Sequence, residues 1–387
     1  MENNRMKRKI LYISGTRADY GLMKSVLREI ENHPKLELEV IATGMHLMPE
    51  FGMTINEIKK DGFKIHEIAA TYEQDNKQSM ANFVGKFIQL LTDKVKKIKP
   101  DIIMVLGDRG EMLAGVIVGT YLTIPVAHIH GGDISSTVDE IVRHAITKLA
   151  HIHFPATEKS AERIIKMGED PSNVFVVGAP GLDIILNENL IEPTKLSEKY
   201  NLDLSEPILL VIQHPVTTEV EDAPTQIRET LEAISELRYQ TILIYPNADA
   251  GGRNMIEVIK EYEKHPFIKI FKNIPYKEYL SLMNIVSVMV GNSSSGIIEA
   301  PSFGLPVVNI GTRQEGRQRA ENVIDVDYDK EQIKAAIKKA LYDEVFKEKV
   351  KKNCKNPYGD GKAGVRIADI LSKIKIDKKL LQKKITY

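Results

Sequence analysis

Acidic side chains stand beside arginines or a histidine at three places in the first half of the sequence. Asp108 is followed directly by Arg109, and His130 opens the segment His-Gly-Gly-Asp. Asp139 and Arg143 are four residues apart, a spacing that puts both side chains on one face of a helix. Positioned carboxylates and imidazoles transfer protons, and guanidinium groups hold oxyanions. These residues are therefore candidates for acid–base chemistry on a bound substrate.

Ordinary structural roles compete with that interpretation. Asp108 could cap the helix that follows it, although an exposed turn that also carries Arg109 favours a function. Asp139 and Arg143 could form a routine ion pair that contributes roughly a few tenths of a kcal/mol. These residues alone leave both interpretations open.

A group of small residues in the second half suits a pyrophosphate. Ser293 and Ser294 lie in the segment Gly-Asn-Ser-Ser-Ser-Gly, between an apolar run and a helix, where backbone N–H groups can approach an anion. Glu299 follows closely; its carboxylate would repel phosphate, but it suits the hydroxyls of a ribose. Arg313, after the next apolar run, adds a cation. The sequence therefore predicts a nucleotide site here, in preference to a helix that is merely capped.

Three further candidates follow apolar runs of the second half. His214 stands directly after one run and could project into a cleft, or it could be a structural histidine. Asn247 and Asp249 follow the next run, and their amide and carboxylate suit sugar hydroxyls. The same composition is also typical of an ordinary loop.

The first apolar run of the chain ends in a turn that carries Arg17 and Asp19. Glycine frees the turn, and Arg17 can contact a phosphate as the next helix begins. Asp19 is either part of the binding surface or the cap of that helix.

A metal site is weighed and not predicted. Five histidines fall between positions 128 and 153, but no His-Glu-x-x-His motif accompanies them, and each His-x-His pair suits one row of a strand. Cys354, the single cysteine, lies in a polar stretch and is interpreted as an ordinary thiol. We expect no metal and no cofactor.

Short apolar runs alternate with longer amphipathic segments throughout the chain, which is typical of βαβ units in parallel sheets. The predicted strands of the first half are Ile10–Ser14, Glu37–Ala42, Asp101–Leu106, Pro125–Ile129 and Asn173–Val177, with helices near 19–32, 77–99, 110–121, 137–149 and 157–167. The predicted strands of the second half are Ile208–Gln213, Gln240–Tyr245, Ile268–Phe271, Ile285–Val290 and Pro306–Asn309. The fold class is therefore α/β, with two Rossmann-like sheets whose strand ends would meet in a cleft.

The domains predicted from this pattern are residues 1–188, residues 189–365 and a C-terminal helix and tail at 366–387. Lys plus Arg and Asp plus Glu both number 53, so no net charge favours nucleic acid or a membrane surface. No apolar run is long enough to span a membrane, and no cleavable leader is evident, so we expect a cytoplasmic protein.

With these motifs in place, the chain resembles the hydrolysing UDP-N-acetylglucosamine 2-epimerases, from about Lys9 to Ile370. The segments that carry the resemblance are Gly15–Tyr20, Gly107–Arg109, His130–Asp133, Asp139 with Arg143–Lys148, His214–Thr218 and Gly291–Ser294. Non-hydrolysing relatives typically have Thr-Arg-Pro-Glu and His-Val-Glu-Ala-Gly where this chain has Thr16–Asp19 and His128–Gly132. The resemblance implies a glycosyltransferase-B type architecture, with UDP held mainly by the second domain and the C-terminal helix returning to the first.

The implied reaction eliminates UDP and the proton on carbon 2 of the sugar, and then hydrates the resulting 2-acetamidoglucal to give N-acetylmannosamine. For proton transfer the candidates are Asp108, Asp139 and His130. The candidates for holding the diphosphate or the sugar are Arg17, Arg109, Arg143, His214, Ser293, Ser294 and Arg313. No metal is required, and members of such a family are generally homo-oligomers, dimers or tetramers.

Two alternatives stay open. Relatives of the same family act on a UDP-linked 2,4-diacetamido-6-deoxy sugar that leads to legionaminic acid. A UDP-sugar transferase of the same architecture would bind the nucleotide in the same way, but it would need an acceptor site.

Overall fold

The computed structural model describes residues 7–74, 76–134, 138–187 and 189–387, and these form two parallel β-sheets of six strands each. The strands are β1 (Arg8–Ser14), β2 (Leu36–Ala42), β3 (Ile65–Glu67), β4 (Ile102–Leu106), β5 (Val126–Ile129), β6 (Ile152–Phe154), β7 (Ile208–Ile212), β8 (Gln240–Ile244), β9 (Ile268–Phe271), β10 (Val288–Gly291), β11 (Val307–Ile310) and β12 (Val323–Val326). Central strands such as β4 and β7 are buried along their whole length, because helices cover both faces of a parallel sheet.

Sixteen α-helices connect and cover these strands within the described ranges. They are α1 (Arg17–Asn32), α2 (Ile55–Lys60), α3 (Lys77–Ile98), α4 (Gly110–Tyr121), α5 (Val138–Leu149), α6 (Glu158–Lys166), α7 (Gly181–Asn187), α8 (Pro193–Tyr200), α9 (Ala223–Leu237), α10 (Gly252–Lys260), α11 (Tyr276–Met283), α12 (Ser295–Ile298), α13 (Lys330–Tyr342), α14 (Glu344–Asn353), α15 (Ala363–Lys373) and α16 (Lys378–Leu381).

Both sheets have the strand order of a doubly wound fold. The first runs β3-β2-β1-β4-β5-β6 and the second runs β12-β11-β10-β7-β8-β9. In each sheet the order of the strands reverses between two central parallel strands, β1 and β4 in the first sheet and β10 and β7 in the second. Ligands of such folds bind beyond the carboxyl ends of the strands at this reversal. The turn after β1 and the turn after β4 therefore share one edge, as do the turns after β7 and β10.

Most of the predicted strands are confirmed within a few residues, and one is wrong. The segment 173–177 forms no named strand. The first sheet ends at β6 instead, and Val174 makes only an isolated bridge to His153. A 3-10 turn at Pro171–Asn173 includes the start of the segment. Only Phe175 and Val177 of this segment donate backbone hydrogen bonds toward β6, to the carbonyls of His153 and Pro155.

One further strand prediction needs a smaller correction. The strand predicted at Ile285–Val290 begins only at Val288, because the N–H groups of Ile285 and Val286 still donate to Leu282 at the end of α11. Besides β6, the edge strands β3 and β12 were missed. Both strands are short and only partly buried, and neither has the continuous apolar run of a central strand.

The C-terminal segment packs against elements of the first sheet. Helix α15 lies against α1, and Arg8 donates to the carbonyl of Leu371. Further along, Lys383 Nζ donates to the carbonyl of Ala150 at 2.6 Å. Glu188, the last residue of the predicted first domain, lies outside the described residues, and the boundary there remains a proposal. Within the described ranges, every helix is too short or too polar to cross a lipid bilayer.

Candidate active site

The facing edges of the two sheets enclose a cavity of about 550 Å³, and every candidate residue proposed from the sequence lines it. From the first sheet these are Arg17, Asp19, Asp108, Arg109, His130, Asp139 and Arg143. From the second sheet they are His214, Asn247, Asp249, Ser293, Ser294, Glu299 and Arg313. The structure thus brings residues up to about 300 positions apart in the sequence to one site, and their individual chemical roles remain predictions.

Arg143 is buried in α5 and ties together two loops of the first sheet. Its Nη2 donates to the carboxylate of Asp108, and its Nη1 donates to the backbone carbonyl of Asp133 at 3.0 Å. Burial and the nearby charges of Arg317 and Arg313 lower the pKa of Arg143 well below its ordinary value. Several cations therefore crowd this part of the cavity, an arrangement that a bound anion would stabilise.

Asp139 also faces the second sheet. Arg313 Nη2 lies 3.9 Å from Asp139 Oδ2, across the cleft. The guanidinium of Arg313 additionally donates to the carbonyl of Asn292 at 3.1 Å, which holds it beside Ser293. A carboxylate of one sheet and the proposed anion site of the other are therefore in contact.

His130 sits on the loop after β5 in a left-handed conformation, with φ of 60°. Its Nδ1 lies 3.1 Å from Asp133 Oδ2, and both side chains are buried. Although burial opposes ionisation, the hydrogen bond from His130 and the positive charge of Arg317 lower the pKa of Asp133. An ionised Asp133 accepts the Nδ1 proton, which leaves Nε2 as the nitrogen for a ligand in the cavity.

Arg109 reaches across the cleft from the turn before α4. Its Nη1 donates to Asp249 at 3.3 Å, its Nη2 to the hydroxyl of Tyr72 at 3.2 Å, and its Nε lies 3.4 Å from the carboxylate of Glu111. Although burial opposes the charge, Glu111 and Asp249 raise the pKa of Arg109 well above its ordinary value. Asn247 Nδ2 completes this group by donating to Asp249 at 2.5 Å.

His214 follows β7 and is held in one orientation by the backbone. Its Nδ1 accepts a hydrogen bond from the N–H of Asn247 at 3.1 Å, and its own N–H donates to Asn292 Oδ1 at 2.7 Å. Burial and the charges of Arg313 and other arginines lower the pKa of His214 well below its ordinary value. A neutral ring that accepts at Nδ1 carries its proton on Nε2, so His214 is a hydrogen-bond donor to the cavity.

Ser293 and Ser294 lie on the loop between β10 and α12, next to the end of β7. Gly291 makes this loop possible, since a Cβ there would lie 2.0 Å from the carbonyl oxygen of Ile212. The helix predicted behind the serines is only the four residues of α12, so its dipole contributes little. We therefore assign anion stabilisation mainly to the backbone N–H groups and to the neighbouring arginines.

Glu299 ends α12 and is fully buried beside Gly181 and Tyr276. Burial raises the pKa of Glu299 to about 7. A buried carboxyl is stabilised when the hydroxyls of a ligand donate hydrogen bonds to it. This is compatible with the ribose contact predicted from the sequence.

Arg17 and Asp19, both on the turn after β1, have different partners. Arg17 Nη1 donates to the carbonyl of Ile274 in the second sheet at 2.6 Å, and its guanidinium lies 5.9 Å from the centre of the Tyr279 ring. Asp19 accepts hydrogen bonds from Ser14, Thr16, Gly15 and Tyr12. The Asp19 carboxylate is thus occupied by its own turn. The N-cap of α1 is Thr16 and not Asp19, and Asp19 completes the capping box from the third position of the helix.

Arg317 also lines the cavity and was missed in the sequence. Its charge acts on Arg143, Asp133 and Arg313, and its Nε makes no hydrogen bond within the described part of the chain. It lies four residues after Arg313 in the same loop, and this spacing could have identified it in the sequence.

The histidines around β5 and β6 have separate structural partners. His128 Nε2 lies 2.8 Å from the carbonyl of Gly107, and His153 Nε2 lies 3.1 Å from Glu169. Among the described residues, no three His, Cys, Asp or Glu side chains converge as metal ligands would. Cys354 is half-buried away from the cavity, and burial raises its thiol pKa.

The sequence and fold have clear counterparts among known proteins. The family model described as UDP-N-acetylglucosamine 2-epimerase matches residues 28–372. A UDP-N,N'-diacetylbacillosamine 2-epimerase (hydrolyzing) of Legionella pneumophila is 44% identical over 381 residues, 98% of this chain and 99% of that protein. A UDP-N-acetylglucosamine 2-epimerase of Neisseria meningitidis serogroup B is 38% identical over 335 residues, 87% of this chain and 88% of that protein.

A solved structure shares the fold. The crystal structure of a UDP-GlcNAc 2-epimerase from Neisseria meningitidis bound to UDP-GlcNAc matches with a TM-score of 0.79 and 22% identity, covering 95% of this chain and 100% of that chain. The predicted fold class, two Rossmann-like domains of the glycosyltransferase-B type, is confirmed.

Proposed function

The chain belongs to the UDP-N-acetylglucosamine 2-epimerase family, and from this premise we propose that it is a hydrolysing member. It would convert a UDP-linked 2-acetamido sugar and water into UDP and the free sugar inverted at carbon 2. The observation that carries the proposal is one cavity in which acid–base groups of the first sheet face a cation-rich loop edge of the second. The near full-length similarity to a hydrolysing relative supports it independently.

The reaction needs a site that stabilises the departing diphosphate. Arg313 and Arg317 bring positive charge to the loop of Ser293 and Ser294, and the Nε2–H of His214 points a neutral donor at the same region. Donors that are fixed before the reaction stabilise developing negative charge without reorganisation. We propose that the diphosphate lies on this edge, and that Glu299 accepts from the ribose hydroxyls.

The first step breaks the C2–H and C1–O bonds of the sugar. A base takes the proton, the C–H electron pair forms the C1=C2 double bond of a 2-acetamidoglucal, and UDP leaves with the C1–O electron pair. Water then adds its hydroxyl to C1, and a proton reaches C2 from the face that inverts the original configuration. We propose Asp108, Asp139 and His130 for these proton transfers, because they line the cavity on the side that faces the anion site.

Two sugars are candidates. The sequence favours N-acetylglucosamine. The Legionella relative and the cavity wall favour a 2,4-diacetamido-6-deoxy sugar, whose extra methyl groups need apolar contact. The lining of the cavity includes the apolar side chains of Met45, Met80, Val84 and Leu113. The two candidates share every step of the reaction and differ only in this contact.

Purified protein should therefore release UDP and a free 2-epimerised sugar from one of the two nucleotides, without added metal or NAD. Product identity by NMR separates the alternatives. A UDP-linked epimer indicates a non-hydrolysing enzyme, and unchanged configuration at carbon 2 indicates a simple hydrolase. Turnover that depends on an added acceptor indicates a transferase. The ratio of kcat/KM between the two nucleotides decides the sugar.

Three finer expectations accompany this proposal. We infer a cytoplasmic enzyme, since its nucleotide-sugar substrate is made there. The free amino sugar would feed the synthesis of a sialic or legionaminic acid. A homo-oligomer, dimer or tetramer, is expected from the family.

A further inference from the structure

A chain of hydrogen bonds runs from helix α6 to His130. Ser160 Oγ donates to Asp133 Oδ1 at 2.7 Å, and Asp133 Oδ2 lies 3.1 Å from His130 Nδ1. Behind Ser160, the hydroxyl of Thr157 donates to Ser160 Oγ at 3.1 Å. All four residues are at least nine-tenths buried. Each hydroxyl can donate only one hydrogen bond. Thr157 therefore donates to Ser160, and Ser160 donates to the Asp133 carboxylate.

The cap of α6 does not depend on the Ser160 hydroxyl. Thr157 is the N-cap residue, and it accepts from the backbone N–H of Ser160 at 3.2 Å. A change of Ser160 to alanine keeps that N–H and therefore keeps the cap. The hydroxyl itself has a different partner, the carboxylate of Asp133.

The loop reaches Ser160 because of a glycine. Gly132 has φ of 76°, and a Cβ at this position would lie 2.3 Å from the carbonyl oxygen of Ser160. The backbone before Asp133 therefore passes against the first turn of α6 at a distance that a side chain would forbid. This contact sets the position from which Asp133 can accept from Ser160 and from His130 at once.

Although burial opposes ionisation, the hydrogen bond from His130 and the positive charge of Arg317 lower the pKa of Asp133 and favour its carboxylate form. Lys159 and Arg163 of α6 and Arg317 of the facing loop line a smaller cavity of about 300 Å³ together with Asp133 and Ser160. An ionised carboxylate that is fixed at Oδ1 by Ser160 turns Oδ2 toward His130 and requires the ring proton on Nδ1.

We propose that Ser160 is a positioning residue, which orients Asp133 so that His130 presents an unprotonated Nε2 to the cavity. A neutral imidazole in this tautomer can accept a proton from the sugar or from water, whereas the other tautomer presents N–H and cannot. The consequence for turnover rests on the proposed function; the tautomer of His130 does not.

The first measurement is the tautomer. In full-length protein labelled with ¹⁵N-histidine, long-range ¹H–¹⁵N correlation distinguishes a protonated Nδ1 from a protonated Nε2, and loss of signals in His130→Gln assigns the ring. We expect wild-type protein and Ser160→Thr to hold the proton on Nδ1, and Ser160→Ala to show both tautomers in exchange. An unchanged single Nδ1–H tautomer in Ser160→Ala would overturn the proposal.

The second measurement is the rate. Ser160→Ala should lower kcat about tenfold with KM changed by less than about twofold, and Ser160→Thr should recover most of the loss. The matched control is Ser281→Ala, which removes an equally buried hydroxyl that donates to the carbonyl of Lys277 away from the cavity. If the control loses as much kcat, or if threonine restores none of it, Ser160 contributes only to packing and the proposal is wrong. If wild-type protein turns over neither nucleotide, the proposed function fails while the tautomer still decides this inference.

Discussion

Arg109 Nη1 lies 3.3 Å from Asp249 Oδ1, and this ion pair joins the turn after β4 to the loop after β8 across the cleft. Arg109 has 17% of its side chain exposed and Asp249 has 10%, so solvent screens the pair only weakly. An outer ion pair also joins the two sheets, between Arg253 and Glu50 at 2.6 Å, but those side chains are 31% and 49% exposed.

The two pairs should differ in their contribution to stability. Asp249→Asn should lower the free energy of unfolding by about 1–3 kcal/mol, because it removes a charged partner of a largely buried cation. Glu50→Gln should lower it by less than about 1 kcal/mol, the range of exposed pairs. Thermal and urea unfolding of both variants checks the order. Equal effects would mean that the Arg109 pair is as well solvated as the outer one.

Gly132 offers a test of the loop that carries His130. Gly132→Ala should lower stability by about 1–3 kcal/mol and reduce turnover, because its left-handed backbone and its contact with the Ser160 carbonyl both exclude a side chain.

The matched control is Gly85→Ala in the middle of α3, where a Cβ would meet nothing within 4 Å and the backbone is helical. That change should be neutral or stabilise the protein by up to about 1 kcal/mol. A Gly132→Ala variant as stable and active as wild type would show that the loop moves away from α6 without cost.

Asp108 and Asp139 are expected to act in proton transfer. Asp108→Asn and Asp139→Asn should each lower kcat about a hundredfold or more while UDP binding by calorimetry stays near the wild-type value. Asp369→Asn, an exposed position on α15, serves as the control for an Asp-to-Asn change. Near-normal kcat in both active-site variants would mean that these aspartates only form ion pairs with Arg143 and Arg313.

The candidate site could be predicted from the sequence because of how parallel sheets are built. Turns after buried strands collect at one sheet edge, so Asp108, His214 and Ser293 could be placed in a cleft without a structure. Buried central strands are apolar along their length, so their positions could also be predicted from the sequence.

What the sequence could not supply depends on contacts between distant segments. The partners of Asp133 and Arg109, namely Ser160 and Asp249, are set by the approach of α6 to a loop and of one sheet to the other. Asp19 was ambiguous for a related reason, since a capping aspartate and a binding aspartate occupy the same place in a turn. The edge strands β3 and β12 are short and only partly buried, so neither has a continuous apolar run in the sequence.

Glu299 should make stability and UDP binding depend on pH in opposite directions. Burial raises its pKa to about 7, above the ordinary value of 4.5, so the folded chain binds this proton more tightly than the unfolded chain does. The stability due to this group is therefore fully present below about pH 4.5 and is lost as pH rises to about 7. Relative to Glu299→Gln, the wild-type melting temperature should fall between pH 5 and pH 8.

UDP binding should respond with the other sign if the ribose hydroxyls donate to the ionised carboxylate. Calorimetry should show wild-type affinity rising from pH 6 to pH 8 more steeply than that of Glu299→Gln, which is also the weaker binder at pH 8. Glu299→Ala should weaken binding as well. Unchanged UDP affinity in Glu299→Ala and in Ser294→Ala together would place the nucleotide elsewhere in the cavity.

The last prediction concerns the hydrogen on carbon 2 of the sugar. Elimination transfers this hydrogen to a base, and the later hydration returns a proton to the opposite face of the same carbon. In deuterated water the free product should therefore carry deuterium at carbon 2, provided that the accepting group exchanges before the glucal is hydrated.

NMR of the product during turnover makes this measurement, and unreacted nucleotide sugar in the same sample reports any exchange before UDP leaves. Direct hydrolysis at carbon 1 would leave the hydrogen in place and the configuration unchanged. Inversion with the hydrogen retained would mean that one group carries the same proton from one face to the other. Since Asp108 and His130 come from separate loops on the cavity wall, we expect different groups to remove and to return it, and hence close to complete labelling.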